Sequence, residues 1–284
     1  MLADTTGDGL LDIVGFGYGG VYIARSLGNG AFEAPRLVIA DFGYTAGGYR
    51  IENNPRFMAD TNGNGRADIV GFSDSGVVVS RANADGSFAP AVQVLPSFGY
   101  VSGGWRVDRH PRFMADLTGD GRGDIVGFGN AGVYVSLAQP NGSYAPAKLV
   151  LPSFGYVAGA WRVDKHPRML ADTTGDGLPD IVGFHDEGVY ISRSLGNGNF
   201  AEPQLVLDNF AYVAGGWRIE RHPRFLADTT GEGRADLVGC GSGGVYVARS
   251  RDLLSGTHRS AIAAGKGQTQ PLEILPEDAR RDDV

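Results

Sequence analysis

An acidic, glycine-rich phrase, Asp4-Thr5-Thr6-Gly7-Asp8-Gly9, returns every 56 residues, opening again at Asp60, Asp116, Asp172 and Asp228 without drift. A fixed period of this length marks a repeat architecture: each unit buries its apolar face only by stacking on neighbours. The copies start near residues 1, 57, 113, 169 and 225. A candidate chemistry carried by one copy is therefore carried several times over.

The third copy shows the local pattern. Phe113-Met114-Ala115 reads as a short strand, Asp116 to Asp124 as a turn, and Ile125-Val126-Gly127-Phe128 as a second strand. Gly132 to Ser136 alternates as a third. Pro140-Asn141-Gly142-Ser143 carries Asn-Gly turn chemistry, and Lys148 to Leu151 forms the fourth strand. A connector from Pro152 to Arg168 leads to the next copy, with Trp161-Arg162-Val163 read as an extra short strand. Four short strands per unit, 45 glycines and no helical periodicity predict an all-β fold, a β-propeller of five four-stranded blades over residues 1–276. In the fifth copy an insertion over 251–270 separates the third strand from a fourth at Pro271 to Pro276, and 277–284 is a charged tail.

The net charge is −7, and 14 of the 32 acids fall in the five loops. That balance disfavours nucleic acid and anionic membranes and favours cations. No apolar run approaches the length of a membrane span. The single Cys240 makes no internal disulfide and leaves the compartment undefined. Met1-Leu2-Ala3-Asp4 lacks the pattern of a secretory signal and matches Met169-Leu170-Ala171-Asp172. Either the ring closes across that start or the chain is a piece of something longer; an incomplete ring would call for an oligomer.

The loops space oxygen donors like the first nine positions of an EF-hand loop, without its helices or terminal Glu. The expected calcium ligands are Asp4, Thr6, Asp8, Leu10 (carbonyl) and Asp12 in the first copy, and Asp60, Asn62, Asn64 and Asp68 in the second. The third offers Asp116, Thr118, Asp120, Arg122 (carbonyl) and Asp124, and the fourth Asp172, Thr174, Asp176, Leu178 (carbonyl) and Asp180. The fifth offers Asp228, Thr230, Glu232 and Asp236. The loops at Asp4, Asp116 and Asp172 carry three carboxylates at good spacing and are expected to bind best. The alternative is a turn that hydrogen-bonds its own backbone.

The connectors repeat an aromatic, guanidinium and imidazole set: Tyr100, Trp105, Arg106, His110 and Arg112; then Tyr156, Trp161, Arg162, His166 and Arg168; then Tyr212, Trp217, Arg218, His222 and Arg224. The first connector departs, with Tyr49 for Trp and Asn54 for His. An aromatic face covers the C–H patch of a pyranose, while Arg and His donate to its oxygens, so the set predicts a sugar site. The other reading wedges Trp between blades and spends Arg and His on turn carbonyls.

Together, Gly-Trp-Arg-Val-Asp-x-His-Pro-Arg-Phe and the following Ala-Asp-x-Thr-Gly-Asp-Gly-x-x-Asp-Ile-Val-Gly-Phe resemble the repeat of the Psathyrella velutina lectin family over about residues 1–250. The acidic half alone is the broader FG-GAP pattern, shared with integrin α-chain propellers. The resemblance implies a non-enzymatic, multivalent lectin with calcium in some loops. Its pockets between blades would take N-acetylglucosamine-type or sialylated glycans. Such lectins have seven repeats, so five imply a shortened or partial form. A calcium-stiffened scaffold that binds protein is the competing function.

Other motifs carry less. Gly15 to Gly20 satisfies a dinucleotide fingerprint but precedes no helix. Arg122-Gly123-Asp124 places its Asp at the last metal-ligand position, and Asn141-Gly142-Ser143 is a glycosylation sequon on a hairpin. No nucleophile–base order or paired-carboxylate cleft recurs with the repeat.

Overall fold

Short apolar runs bounded by Gly, Asn and Asp make the chain an array of antiparallel sheets. The computed structural model describes residues 1–250. The first sheet holds β1 (Leu2–Ala3), β2 (Asp12–Phe16), β3 (Val21–Ala24) and β4 (Arg36–Ile39), hydrogen-bonded in chain order. The second holds β5 (Arg56–Ala59), β6 (Asp68–Phe72), β7 (Val77–Ser80) and β8 (Val92–Leu95). The third holds β9 (Arg112–Ala115), β10 (Asp124–Phe128), β11 (Val133–Ser136) and β12 (Lys148–Leu151). The fourth holds β13 (Arg168–Ala171), β14 (Asp180–Phe184), β15 (Val189–Ser192) and β16 (Gln204–Leu207). The fifth holds β17 (Arg224–Ala227), β18 (Asp236–Gly241) and β19 (Gly244–Ala248).

This is the expected all-β, five-bladed β-propeller; among the described residues four blades have four strands and the fifth has three. The insertion at 251–270, the fourth strand expected near Leu272 and the tail at 277–284 lie outside the described residues. One expectation is corrected: Trp161-Arg162-Val163 pairs with no strand and runs into a turn.

Burial follows position in the blade. The second strands β6, β10 and β14 are buried at every residue, so Asp-Ile-Val-Gly-Phe reads as a continuous run rather than an alternating one. Outer strands such as β12 expose their first two residues. A register shift between Val133 and Tyr134, in the β11–β12 pair, recurs at Val21/Tyr22, Val77/Val78 and Val189/Tyr190.

The described chain falls into two compact units, one of residues 1–163 with 194–200, the other of 164–193 with the residues from 201 on. In the first unit, Val14, Val21, Ile23, Phe42 and Tyr49 pack onto Ile69 of the second blade. One blade further, Val70, Val77, Val79, Phe98 and Trp105 pack onto Ile125, Ala138 and Tyr144. In the second unit, Val182, Val189, Ile191, Phe210 and Trp217 pack onto Leu237 and Ala248.

Glycine in the second strand makes the approach close enough. A Cβ on Gly127 would lie 2.5 Å from Trp105 Cη2 and 2.7 Å from Phe98 Cε1. On Gly239 it would meet Trp217 Cη2 at 2.6 Å and Phe210 Cε1 at 2.7 Å. A strand glycine of this kind marks close approach by another element. Gly127→Ala is expected to destabilise the fold by about 1–3 kcal/mol, the usual cost of overpacking. Urea unfolding checks it; an unchanged midpoint would mean the wedge gives way freely.

Candidate functional site

Each acidic loop is closed by its own backbone. Asp116 Oδ1 accepts from the amides of Thr118 (3.1 Å), Gly119 (2.7 Å) and Asp120 (3.2 Å), and Oδ2 from Gly121 (2.7 Å). Asp4, Asp172 and Asp228 repeat the pattern. These amides hold all four carboxyls below the usual range; burial opposes ionisation at Asp116, Asp4 and Asp172, and loses to the amides.

The last Asp of each loop is a buried clip. Asp124 Oδ2 accepts the Leu117 amide at 2.9 Å and Oδ1 the Ala138 amide at 2.7 Å, tying the loop to the end of β11. Asp12, Asp68 and Asp236 make the same link to the amides of Ser26, Ala82 and Ser250. Thr5, Thr61, Thr173 and Thr229 add a hydroxyl to the clip, where the third copy has Leu117.

Burial raises Asp124 to about 6, and no hydroxyl offsets it. Its folded pKa thus lies above the ordinary 3.8. The contribution is complete below about pH 4 and is lost as pH rises through about 6, on the order of 3 kcal/mol at full ionisation. Leu117→Thr supplies the missing donor and is expected to flatten stability between pH 4 and 7. Urea unfolding across that range is the check, and an equally steep curve in the variant would refute it.

Among the described residues no three His, Cys, Asp or Glu side chains converge as a metal-holding group. The first and last carboxylates are engaged with amides that a cation would have to share. In the third loop Arg122 also pairs with Asp120, and in the fifth Arg234 pairs with Glu232 at 2.8 Å. In these two loops a cation would have to displace the arginine. Asp8 and Asp176, in the first and fourth, have no basic partner among the described contacts and bond only the amides of Leu10 and Leu178.

The connectors are built on a strained aromatic. Phe42, Phe98, Phe154 and Phe210 all take φ near +60°, at 58, 60, 59 and 57°. This is costly for a non-glycine residue and persists only where surroundings hold it. In connector two the Phe98 carbonyl accepts Arg112 Nη1 at 2.8 Å; Phe42 accepts Arg56 at 2.9 Å and Phe210 accepts Arg224 at 2.7 Å. The His-Pro-Arg arginines are buried, and burial lowers Arg112 and Arg224 to about 10, still protonated at neutral pH.

The tryptophans lie inside, not on the surface. Trp105, Trp161 and Trp217 are 7, 4 and 6 % exposed. Trp105 packs on Phe98 with the rings 4.7 Å apart and tilted by 34°, and meets Tyr134 and His110 edge-on at 5.9 and 5.6 Å. Trp217 stacks on Phe210 at 4.7 Å and meets Tyr246 and His222 edge-on. The expectation of open sugar platforms is revised on this point: all three indoles are buried, Trp105 and Trp217 as wedges, and Arg112, Arg168 and Arg224 belong to the buried scaffold.

The histidines orient the turn. His110 Nδ1 accepts the Arg106 amide at 3.2 Å, so Nε2 carries the proton and donates to Asn130 Oδ1 at 2.9 Å. Burial lowers the pKa of His110, favouring that neutral form. His222 repeats the geometry with Ser242. His166 meets Asp186 at 3.1 Å; burial again lowers its pKa, against the Asp186 contact, and His185 packs on its ring at 4.4 Å. In the first connector Asn54 does the histidine's work, accepting the Arg50 amide and donating to Asp74.

A half-buried Arg–Tyr stack reaches the surface. Arg106 lies 3.7 Å over the Tyr100 ring, Arg162 4.0 Å over Tyr156 and Arg218 3.9 Å over Tyr212. Arg50 over Tyr44 at 3.6 Å completes the series. Beside Tyr156 stand His110 (ring centroids 6.3 Å apart) and the exposed Asn130. Val101, Val157 and Val213, on the same loops, are 75, 73 and 70 % exposed. Sequence reasoning missed Asn130, Asp186 and Ser242, because the position varies between copies and leaves no repeated signal.

Comparison with known proteins agrees with this fold. The FG-GAP-like repeat family matches residues 60–127 and 172–239. No curated protein matches the chain. An Agrocybe aegerita lectin, whose structure concerns specific recognition of non-reducing terminal N-acetylglucosamine, superposes with a TM-score of 0.84 at 49 % identity. The match covers 89 % of this chain and 63 % of that one. The Tc holotoxin pore of Photorhabdus luminescens shares the fold alone, at a TM-score of 0.59 and 20 % identity over 89 % of this chain and 11 % of that one. Two stretches of the chain thus match the FG-GAP-like repeat, and its fold is that of the Agrocybe lectin, of whose length it spans about 63 %.

Proposed function

We propose that the chain is a multivalent lectin for glycans ending in N-acetylglucosamine, bound at the connectors. The observation that carries this reading is the recurrence of one arrangement, an Arg–Tyr stack beside a His held to a polar side chain: Arg162 and Tyr156 beside His110, and Arg218 and Tyr212 beside His166. Its support from outside the chain is the 49 % identity to the Agrocybe lectin. A tyrosine face covers the pyranose C–H patch, and Arg and Asn groups meet its hydroxyls. The exposed valines offer an apolar contact for the acetamide methyl. Weak single sites add up on a glycan-coated surface, where avidity rises by ~10²–10⁴.

Replacing Arg106, Arg162 and Arg218 together by Ala is expected to abolish retention on an N-acetylglucosamine column while the far-ultraviolet spectrum stays that of a β protein. Trp105→Ala is expected to cost about 3–5 kcal/mol of stability, since it empties a packed wedge. Retention surviving the triple Arg change would sink the proposed site. Failure of the wild type on acetylated glycans would favour the protein-binding scaffold.

Calcium is part of the proposal only for the loops at Asp4 and Asp172. Ion binding to the folded state alone is expected to raise stability by about 2.7 kcal/mol at a hundredfold excess over Kd. Asp8→Ala with Asp176→Ala should remove that gain in calorimetry with and without chelator. A melting temperature indifferent to calcium in the wild type would leave the loops as self-sufficient turns.

A further inference from the structure

The fourth blade carries a second histidine where the other blades carry no titratable group. His185 has as its counterparts Gly17, Ser73, Gly129 and Gly241. Its ring packs on the buried His166 ring with centroids 4.4 Å apart, and meets Tyr190 edge-on at 6.2 Å. Asp186, the next residue, lies 3.1 Å from His166 Nε2. In the third blade the matching pair is Gly129 and the neutral Asn130, which His110 meets at 2.9 Å.

The surface loop is bonded to these two residues. The Tyr212 amide donates to the His185 carbonyl at 3.1 Å, and the amides of Val213 and Ala214 donate to the Asp186 carbonyl at 3.1 and 2.8 Å. The third blade uses the same frame: Tyr156 bonds Gly129 at 2.9 Å, and Val157 and Ala158 bond Asn130 at 3.0 and 2.9 Å. The two loops are alike in backbone and differ in what can take a proton beside them. Burial, outweighing the pull of Asp186, keeps His166 neutral at pH 7, and it does the same at His110. At Asp186 burial opposes ionisation but loses to His166, His185 and Lys165, so the carboxylate stays charged. The other charged or titratable groups around the pair are Glu187, which accepts from Tyr190 on β15, Arg168 on β13, Lys165 on the preceding turn, and Tyr212 with Arg218 on the connector. Histidine is the side chain that changes charge in mild acid. Burial penalises that charge on His166, so the half-buried His185 is the place for the proton.

We infer that His185 is a positioning residue that makes the fourth connector site acid-sensitive, holding its glycan at neutral pH and releasing it when the His185 ring gains a proton. This rests on the lectin reading. Asp186 stands in the place of Asn130 and offers its carboxylate to the sugar hydroxyls. A charged His185 competes for that carboxylate, and any movement of its backbone is passed to Tyr212 through their hydrogen bond. The third site, built on Gly129 and Asn130, has no group to charge at this position and keeps its glycan over the same range. Binding and protonation are linked, so a glycan that prefers the neutral site also lowers the pH at which His185 charges.

The test is titration with N-acetylglucosamine followed by nuclear magnetic resonance, reading the fourth site at the Val213 amide and the third at the Val157 amide. From about pH 7.5 to about pH 5, Kd at Val213 is expected to rise about tenfold, the effect of one unit of coupled pKa, while Kd at Val157 stays level. Saturating sugar should lower the pH at which the His185 ring charges by about one unit. His185→Gly, which copies the third blade, should flatten the Val213 profile, and His185→Gln serves if the glycine chain does not fold. Wild type and variants all keep Asp124, so its titration drops out of the comparison. Equal pH profiles at the two amides overturn the inference, as does a Val213 profile that survives the loss of His185. If sugar shifts neither amide at any pH, the lectin reading fails and the sugar-free chain decides the coupling. Acid shifts at Val213 and Ala214 that vanish in His185→Gly, with none at Val157, then support it; their absence overturns it.

Discussion

The structure depends on the contact between a connector's aromatic pair and a glycine in the next blade's second strand. Phe98 and Trp105 reach Gly127, and Phe210 and Trp217 reach Gly239, at distances no side chain would permit. The contact does two jobs. It buries the largest apolar groups of the repeat, and it fixes where the connector leaves the core. The φ of +60° at Phe98 is tolerated because Arg112, buried and protonated, bonds that residue's carbonyl. Strain, cation and wedge form one unit.

The surface chemistry inherits its precision from that unit. Arg106 bonds the carbonyls of Tyr100 and Trp105, so its guanidinium is set by the same turn that the wedge anchors. His110 ties that turn to the hairpin after β10, taking an amide with one nitrogen and giving a proton to Asn130 with the other. A surface group so placed would lose little freedom to the proposed ligand. The acidic loops serve the blade instead: their first Asp folds the turn, and their last ties it to the third strand.

Much of this was legible in the chain. The period gave the number of blades, and the Asp-Gly and Asn-Gly phrases placed the turns. Asp-Ile-Val-Gly-Phe, without alternation, reads as a strand buried on both faces, as β10 is. The connectors were recognised as chemically loaded, but the division of labour within them was not. Tryptophan, arginine and histidine suit a sugar site and a packed turn equally well. Burial alone separates Arg112, inside, from Arg106, at the surface.

The sequence by itself determined the repeat, its four-strand pattern and the residue types available at each blade junction, because these follow from local propensity and a strict period. Only the tertiary structure decided which of those residues face solvent. The indole of Trp105 could have been a platform, but it is spent on Gly127, which lies in another repeat and shares no local signal with it. The same holds for Asn130, which becomes the partner of His110 through a contact twenty residues away. Which carboxylates remain outward in the loops was also settled in three dimensions, since backbone amides claim an oxygen only once the turn has closed.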